Sequence, residues 1–189
     1  MPFDHFNLIA GLFERTAKYI PPVLLLDLID LRPNESLLDA GGGTGRIAKA
    51  LREMVRAVVV ADPSRGMLHY AAGKGLTSCC APAEHIPFAS NSFQRIIMVD
   101  AFHHLFNQEA VISEFWRVLV PDGKIVIVEP DIQRWEVKLI ALGEKMMLMR
   151  SHFFSAEKIT ALLEKPGIKV RVAFTEMQFI VCAERVREM

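Results

Sequence analysis

Leu37-Leu38-Asp39-Ala40-Gly41-Gly42-Gly43-Thr44-Gly45-Arg46 is an apolar run that ends in an acid and passes through a glycine-dense turn into a helix. Glycine has no Cβ and tolerates positive φ, so such a turn lets the backbone approach a bound ligand closely. A helix that starts near Thr44 or Gly45 presents unpaired N–H groups and the positive end of its dipole, which favours a negative group nearby. Arg46 adds a charge-assisted donor to that group, while Asp39, at the strand end, is placed to accept from a positive group on the same ligand. The competing reading is a turn that only packs helix on sheet. The acid and the repeated glycines favour the ligand.

Working outward from this turn, short β-rich runs at 36–39, 57–61, 76–80, 95–99 and 124–129 alternate with helical stretches at 46–56, 65–74 and 108–120. That alternation predicts parallel βαβ units with both sheet faces covered. The last of these helices carries its apolar stripe on Val111, Ile112, Phe115, Val118 and Leu119 and stops at Pro121-Asp122-Gly123, a turn signal. Runs at 168–174 and 178–183 are separated only by Thr175-Glu176-Met177, too short for a parallel crossover, so they form an antiparallel hairpin at the sheet edge. The expected fold class is α/β: a Rossmann-like doubly wound sheet, mostly parallel, with an antiparallel C-terminal edge. A chain of 189 residues without repeats or linkers predicts one domain.

Lys+Arg and Asp+Glu both number 22, so no whole-chain field draws nucleic acid or acidic membranes, and a small-molecule substrate fits better. Apolar runs are far shorter than a membrane span, and the N-terminus lacks the pattern of a secretory signal, so a cytoplasmic protein is expected. Cys79 and Cys80 are adjacent and Cys182 is remote. That is neither a metal spacing nor a disulfide framework, and all three read as reduced core thiols.

Asp62 lies at the end of the second strand, 21 residues after Gly41, where an acid can accept both hydroxyls of an adenosine ribose. An N-cap for the next helix is its alternative role. The same spacing occurs in nicotinamide dehydrogenases, but counting from Gly41-x-Gly43 the third glycine of their fingerprint is Arg46 here.

Four segments in order then resemble one family. Asp39-Ala40-Gly41-Gly42-Gly43-Thr44-Gly45 is similar to its acidic-x-Gly-x-Gly-x-Gly turn, and Asp62-Pro63-Ser64-Arg65-Gly66-Met67-Leu68 to its ribose-binding strand end. Ala83-Glu84-His85-Ile86-Pro87-Phe88 followed by Ser92-Phe93-Gln94-Arg95-Ile96 resembles its Ala-Glu-x-x-Pro-Phe and Ser-Phe-Asp-x-Val. Residues 114–124 resemble its Glu-x-x-Arg-Val-Leu-x-Pro-Gly-Gly connection. The family is the class I S-adenosylmethionine (SAM) dependent methyltransferases, in the methyltransferase type 11 branch that includes the ubiquinone and menaquinone biosynthesis C-methyltransferases.

The resemblance implies SAM as cofactor and S-adenosylhomocysteine as product. Its binding residues are then Asp39, Gly41, Gly42, Gly43, Thr44, Gly45, Arg46, Asp62, Pro63, Met67, Ala83, Glu84 and Asp100. Pro82 stands where this branch often has an Asp that accepts from the adenine amino group, which leaves adenine to backbone near Ala83 and Glu84 and to Met67.

Val99-Asp100-Ala101-Phe102-His103-His104-Leu105 follows the fourth strand, beside the transferable methyl in the resembling family. His103 and His104 are the candidate catalytic bases, with Asp100 and His152 behind them. Adjacent side chains diverge and no third ligand is spaced for a metal, so none is expected. Ser155 reads as the N-cap of a later helix.

Two stretches outside the alternation, a helical cover at 1–31 and a helical segment at 131–153, are expected to enclose a small or medium-sized, largely apolar acceptor. Phe3, Phe6, Leu8, Ile9, Leu12, Phe13 and Tyr19 on one side, and Trp135, Leu139, Met146, Met147, Met149 and Phe153 on the other, carry that expectation. Ordinary core or a homodimer seam is its alternative. A methyltransferase-like protein that binds SAM without turnover, or a dehydrogenase, remains the alternative function.

Overall fold

The computed structural model describes residues 10, 11, 14, 23–135, 137, 138 and 152–186. Its described elements run α1 (Val23–Ile29), β1 (Ser36–Ala40), α2 (Arg46–Leu51), β2 (Ala57–Asp62), α3 (Arg65–Gly73), β3 (Thr77–Cys80), β4 (Phe93–Val99), α4 (Gln108–Val118), β5 (Leu119–Pro130), α5 (Ala156–Leu163), β6 (Ile168–Phe174) and β7 (Gln178–Arg185). Short 3-10 turns follow α2 at Arg52–Met54 and β4 at Phe102–His104.

The sheet order is β3-β2-β1-β4-β5-β7-β6. β1 to β5 pair in parallel, whereas β7 is antiparallel to both β5 and β6. The three residues between β6 and β7 set that reversal, and Thr175 closes the hairpin through its bonds with Gln178.

Alternation along the strands divides the core in two. Leu38, Ala40, Ile96, Met98, Ile125 and Ile127 face α4 and α5, whose Val111, Ile112, Phe115, Val118, Ile159 and Leu163 close that side. Leu37, Val58, Val60, Ile97, Val126 and Val128 face α1, α2 and α3. Full burial of each such aliphatic side chain is worth about 1.5–3 kcal/mol.

Several boundaries differ from the sequence reading. α2 ends at Leu51 and tightens into a 3-10 turn. α4 ends at Val118, and Leu119 opens β5 rather than closing the helix. The expected turn at Pro121-Asp122-Gly123 lies inside that strand, where the register shifts between Phe93 and Arg95 and Asp122 takes φ 65°. Of the cysteines only Cys182 is buried. Cys79 is half-buried and Cys80 exposed, because β3 is an edge strand.

Arg95 is a buried charge near the start of β4. It donates to Ile29 O at 2.7 Å and Asp30 O at 2.8 Å and pairs with Glu35 at 3.1 Å, so it caps the carbonyl end of α1. α1 buries Leu25, Leu28 and Ile29 in the core against the sheet, so this part of the expected 1–31 cover is core helix. Among the described residues no helix is long and apolar enough to cross a membrane.

Candidate functional site

The chain leaves β1 toward β2 on one side, and β4 lies on the other, so the strand order reverses between β1 and β4. In an open α/β sheet the crevice beyond the carboxyl ends of such strands is the ligand site. Each strand around it ends in an acid: Asp39 in β1, Asp62 in β2, Asp100 just after β4 and Glu129 in β5.

The glycines of the turn serve different ends. A Cβ on Gly41 would stand 2.8 Å from the Ala101 Cβ, one on Gly42 2.6 Å from the Asp39 carboxylate, and one on Gly45 2.5 Å from Leu76 Cδ1. Those three positions are closed by the protein's own packing. At Gly43 the nearest atoms would be Met67 Sδ at 3.8 Å and Asp62 Oδ2 at 4.0 Å, ordinary contact distances, so of these four glycines Gly43 is the one where a Cβ meets no clash.

Asp62 accepts from Gly43 N–H at 3.0 Å through Oδ2 and from Ser64 N–H at 2.8 Å through Oδ1. These backbone bonds, one to each oxygen, fix the orientation of the carboxylate. The N-cap of α3 is Ser64, not Asp62. Asp39 is buried and has an internal partner, Ala48 N–H at 3.2 Å. Burial, with the negative charge of Asp62 added, pushes its pKa up to about 7 against the pull of Ala48 and Arg46. The six-residue α2 is a short dipole, which leaves Arg46 as the stronger positive charge at the helix start.

Ala83 is buried and Glu84 half-buried in the loop after β3, and that loop is tied to Asp62 by Ala81 N–H donating to Asp62 O at 3.2 Å. Glu114 and Arg117 hold the rest of it. Glu114 Oε1 accepts from Ile86 N–H at 2.8 Å, while Arg117 donates to Ile86 O at 3.0 Å and Phe88 O at 2.8 Å. The Glu-x-x-Arg spacing on α4 is thus a clamp on the loop.

The segment after β4 forms the opposite wall. Asp100 takes φ 52° and accepts from Gln178 Nε2 at 2.8 Å. It keeps solvent on one side, but surrounding protein desolvates the rest and Glu129 adds like charge, pushing its pKa up to about 6. His103 is buried, its ring stacked on Phe153 at 4.5 Å and 11°. The expectation that His103 and His104 diverge is corrected: on the 3-10 turn their ring centroids lie 4.0 Å apart. Among the described residues no cluster of His, Cys, Asp or Glu could hold a metal.

His152 is exposed and joins the site by its backbone, donating to His103 O at 2.7 Å. Ser155 occupies the N-cap of α5 without a side-chain cap bond. Trp135 is exposed, and Leu139, Met146, Met147, Met149, Phe3, Phe6, Leu8, Ile9, Leu12, Phe13 and Tyr19 lie outside the described residues. Two contributors escaped the sequence reading. Glu129 bonds the segment after β4, and Lys74 donates to Thr44 O at 2.8 Å. The signal for Glu129 was an acid closing an apolar strand, the same pattern as Asp39 and Asp62.

A glycine turn at the switch point of a sheet whose last strand runs antiparallel defines a class I methyltransferase fold, and the reversed β7 separates it from the all-parallel sheet of dinucleotide dehydrogenases. Comparison with known proteins agrees. Residues 38–127 match the family model described as methyltransferase domain. Over 101 residues the chain is 34% identical to a demethylmenaquinone methyltransferase of Corynebacterium urealyticum, covering 53% of this chain and 44% of that protein. Over 108 residues it is 31% identical to the ubiquinone/menaquinone biosynthesis C-methyltransferase UbiE of Cupriavidus necator, covering 52% and 44%. The chain thus spans under half the length of these curated relatives. A SAM-dependent methyltransferase structure from Thermotoga maritima shares the fold with TM-score 0.76 and 20% identity, over 96% of this chain and 98% of that one. The chain is thus similar to methyltransferases over residues 38–127 and shares its fold with the SAM-dependent methyltransferase of Thermotoga maritima.

Proposed function

We propose that the protein transfers the methyl group of SAM to a small or medium-sized, largely apolar acceptor. The observation that carries the cofactor half is the clash-free position at Gly43, where a Cβ would only touch Met67 and Asp62 at ordinary distances, beside a carboxylate oriented by the Gly43 and Ser64 N–H groups. In this reading Asp62 takes the ribose hydroxyls. Met67, Pro63, Ala83 and Glu84 border the adenine. Asp39 and Arg46 take the ammonium and carboxylate ends of the methionine moiety, with the backbone of 41–45 between them, and Asp100 stands near the sulfur.

Bound SAM supplies an already activated methyl, so the chain's own work is to align the acceptor, exclude water and receive a proton where the acceptor carries one. His103 and His104 are the nearest bases to that end of the crevice. An apolar acceptor is supported by Phe153 against His103 and by exposed Phe106, Trp135, Phe174 and Met177, all beyond carboxyl ends of β4, β5 or β6. The names of the two relatives, which specify demethylmenaquinone and quinone C-methylation, point to the same chemistry.

The test is to incubate purified protein with methyl-tritiated SAM and a panel of lipophilic hydroquinones and phenols, then count label in the organic phase. Label that depends on protein and acceptor is expected. SAM binding without label from any apolar acceptor in the panel would overturn this acceptor class.

A further inference from the structure

Glu129 closes β5 and is only 2% exposed, yet its one carboxylate gathers donors from three consecutive residues of the segment after β4. Oε1 accepts from Ala101 N–H at 3.0 Å and from Phe102 N–H at 2.9 Å, and Oε2 lies 2.6 Å from His103 Nδ1. A carboxylate withdrawn from water needs such bonds in its place. Because an ionised carboxylate only accepts, a bond this short to Nδ1 requires the proton to sit on Nδ1, which leaves Nε2 as the basic nitrogen of the neutral ring. The ring itself is held by Phe153 stacked on its face and by His152 N–H on the His103 carbonyl.

We infer that Glu129 is a positioning residue for methyl transfer, holding His103 as the Nδ1–H tautomer so that Nε2 is the nitrogen that takes the acceptor's proton. The last clause rests on the proposed methyl transfer. The tautomer does not, and it is measurable without an acceptor. The proton leaves the acceptor's O–H or acidic C–H for Nε2, and the electron pair left behind makes the acceptor the nucleophile. The imidazolium formed stays paired with Glu129. Asp100 interacts electrostatically with Glu129, with His103 and with Arg46 on α2, and the His104 ring lies 4.0 Å from that of His103.

Glu129→Gln separates this role from simple support. The amide carbonyl can keep the Ala101 and Phe102 bonds, which turns its NH2 toward Nδ1, so Nδ1 must accept and the proton moves to Nε2. Long-range proton–nitrogen spectra of the nitrogen-15-labelled full chain read the tautomer directly, with His103→Gln identifying the signals. The expected result is Nδ1–H in the wild type and Nε2–H in Glu129→Gln, with SAM affinity held within about threefold. An Nε2–H tautomer in the wild type, or the same tautomer in both folded proteins, would overturn the inference. If the variant does not fold, as circular dichroism would report, the wild-type spectrum decides alone. Failure of the methyltransferase reading would show separately, as wild-type protein that binds no SAM.

Discussion

Gly43 N–H donates to Asp62 Oδ2 at 3.0 Å, which makes the turn after β1 and the acid ending β2 one hydrogen-bonded unit. Asp62→Ala removes both the proposed acceptor for the ribose and the anchor of the turn. It should weaken SAM binding by roughly 1.5–3 kcal/mol. Asp62→Asn, which keeps one carbonyl acceptor, should lose less. Calorimetric titration checks both, and unchanged affinity in a folded Asp62→Ala protein would sink the ribose assignment.

Gly43 and Gly45 both take positive φ, 55° and 74°, but of the two only Gly43 would hold a Cβ without a clash. Gly43→Val should therefore abolish SAM binding with modest loss of stability. Gly45→Ala drives a methyl toward Leu76 Cδ1 at 2.5 Å and should destabilise the fold by about 1–3 kcal/mol. Denaturant melts and SAM titration on the two variants should give opposite patterns. Normal SAM binding by Gly43→Val would mean that the turn is structural alone.

Asp39 is a proton-linked group. Its folded pKa, raised to about 7 by burial, lies above the ordinary value of 3.8. The folded state then holds the extra proton, so stability should fall as pH rises from about 4 to about 7. Asp39→Asn should flatten that slope. A ligand ammonium beside Asp39 favours the charged carboxylate, so SAM binding near pH 6–7 should release a proton (about pH 6–7 being the window between the two states). Calorimetry in buffers of different ionisation enthalpy measures that proton. Asp100, raised to about 6, titrates nearby, and only a release that disappears in Asp39→Asn belongs to Asp39.

Strand periodicity and glycine placement made the sheet legible, because β1, β4 and the main run of β5 are buried on both faces and the 175–177 loop permits only a hairpin. Asp39, Gly43 and Asp62 were legible because strand ends and turns are local features. The His103–Glu129 bond spans 26 residues and the Asp100–Gln178 bond 78, and no local spacing encodes such pairs. The ring contact of His103 with His104 forms on a 3-10 turn after β4, against the expectation that adjacent side chains diverge. Arg117 read as a family motif residue, and its clamp on Ile86 and Phe88 appears only once α4 and the 83–88 loop are side by side.

Among the described N-terminal residues, Glu14 reaches the glycine turn through Lys74. Lys74, the C-cap of α3, donates to Thr44 O at 2.8 Å and pairs with Glu14. The Lys74 and Glu14 side chains are 12% and 29% exposed, so the pair is only partly screened by solvent. Burial alone would raise the Glu14 pKa, but the hydrogen bonds of Lys74 and Thr44, with the charges of Lys74 and Arg46, bring it below its ordinary value. The Thr44 carbonyl is therefore fixed on one side of the turn by a charge that Glu14 balances. Lys74→Met keeps the aliphatic stem but removes both bonds, leaving a carbonyl and a carboxylate without their shared donor. SAM affinity should fall about three- to tenfold, within the range of one lost hydrogen bond to a charged group. Glu14→Gln, which keeps a neutral acceptor for Lys74, should lose less. Because Glu14 is held below its ordinary pKa, the pair's stability is present at neutral pH and lost as pH falls through the lowered value. The wild type should accordingly lose more SAM affinity than Glu14→Gln only when the titration from pH 7 is carried below the ordinary value of 4.5. Equal affinity for SAM in wild type and a folded Lys74→Met protein would show that the N-terminal stretch is uncoupled from the turn, and with it the expectation that this stretch helps to cover the cofactor.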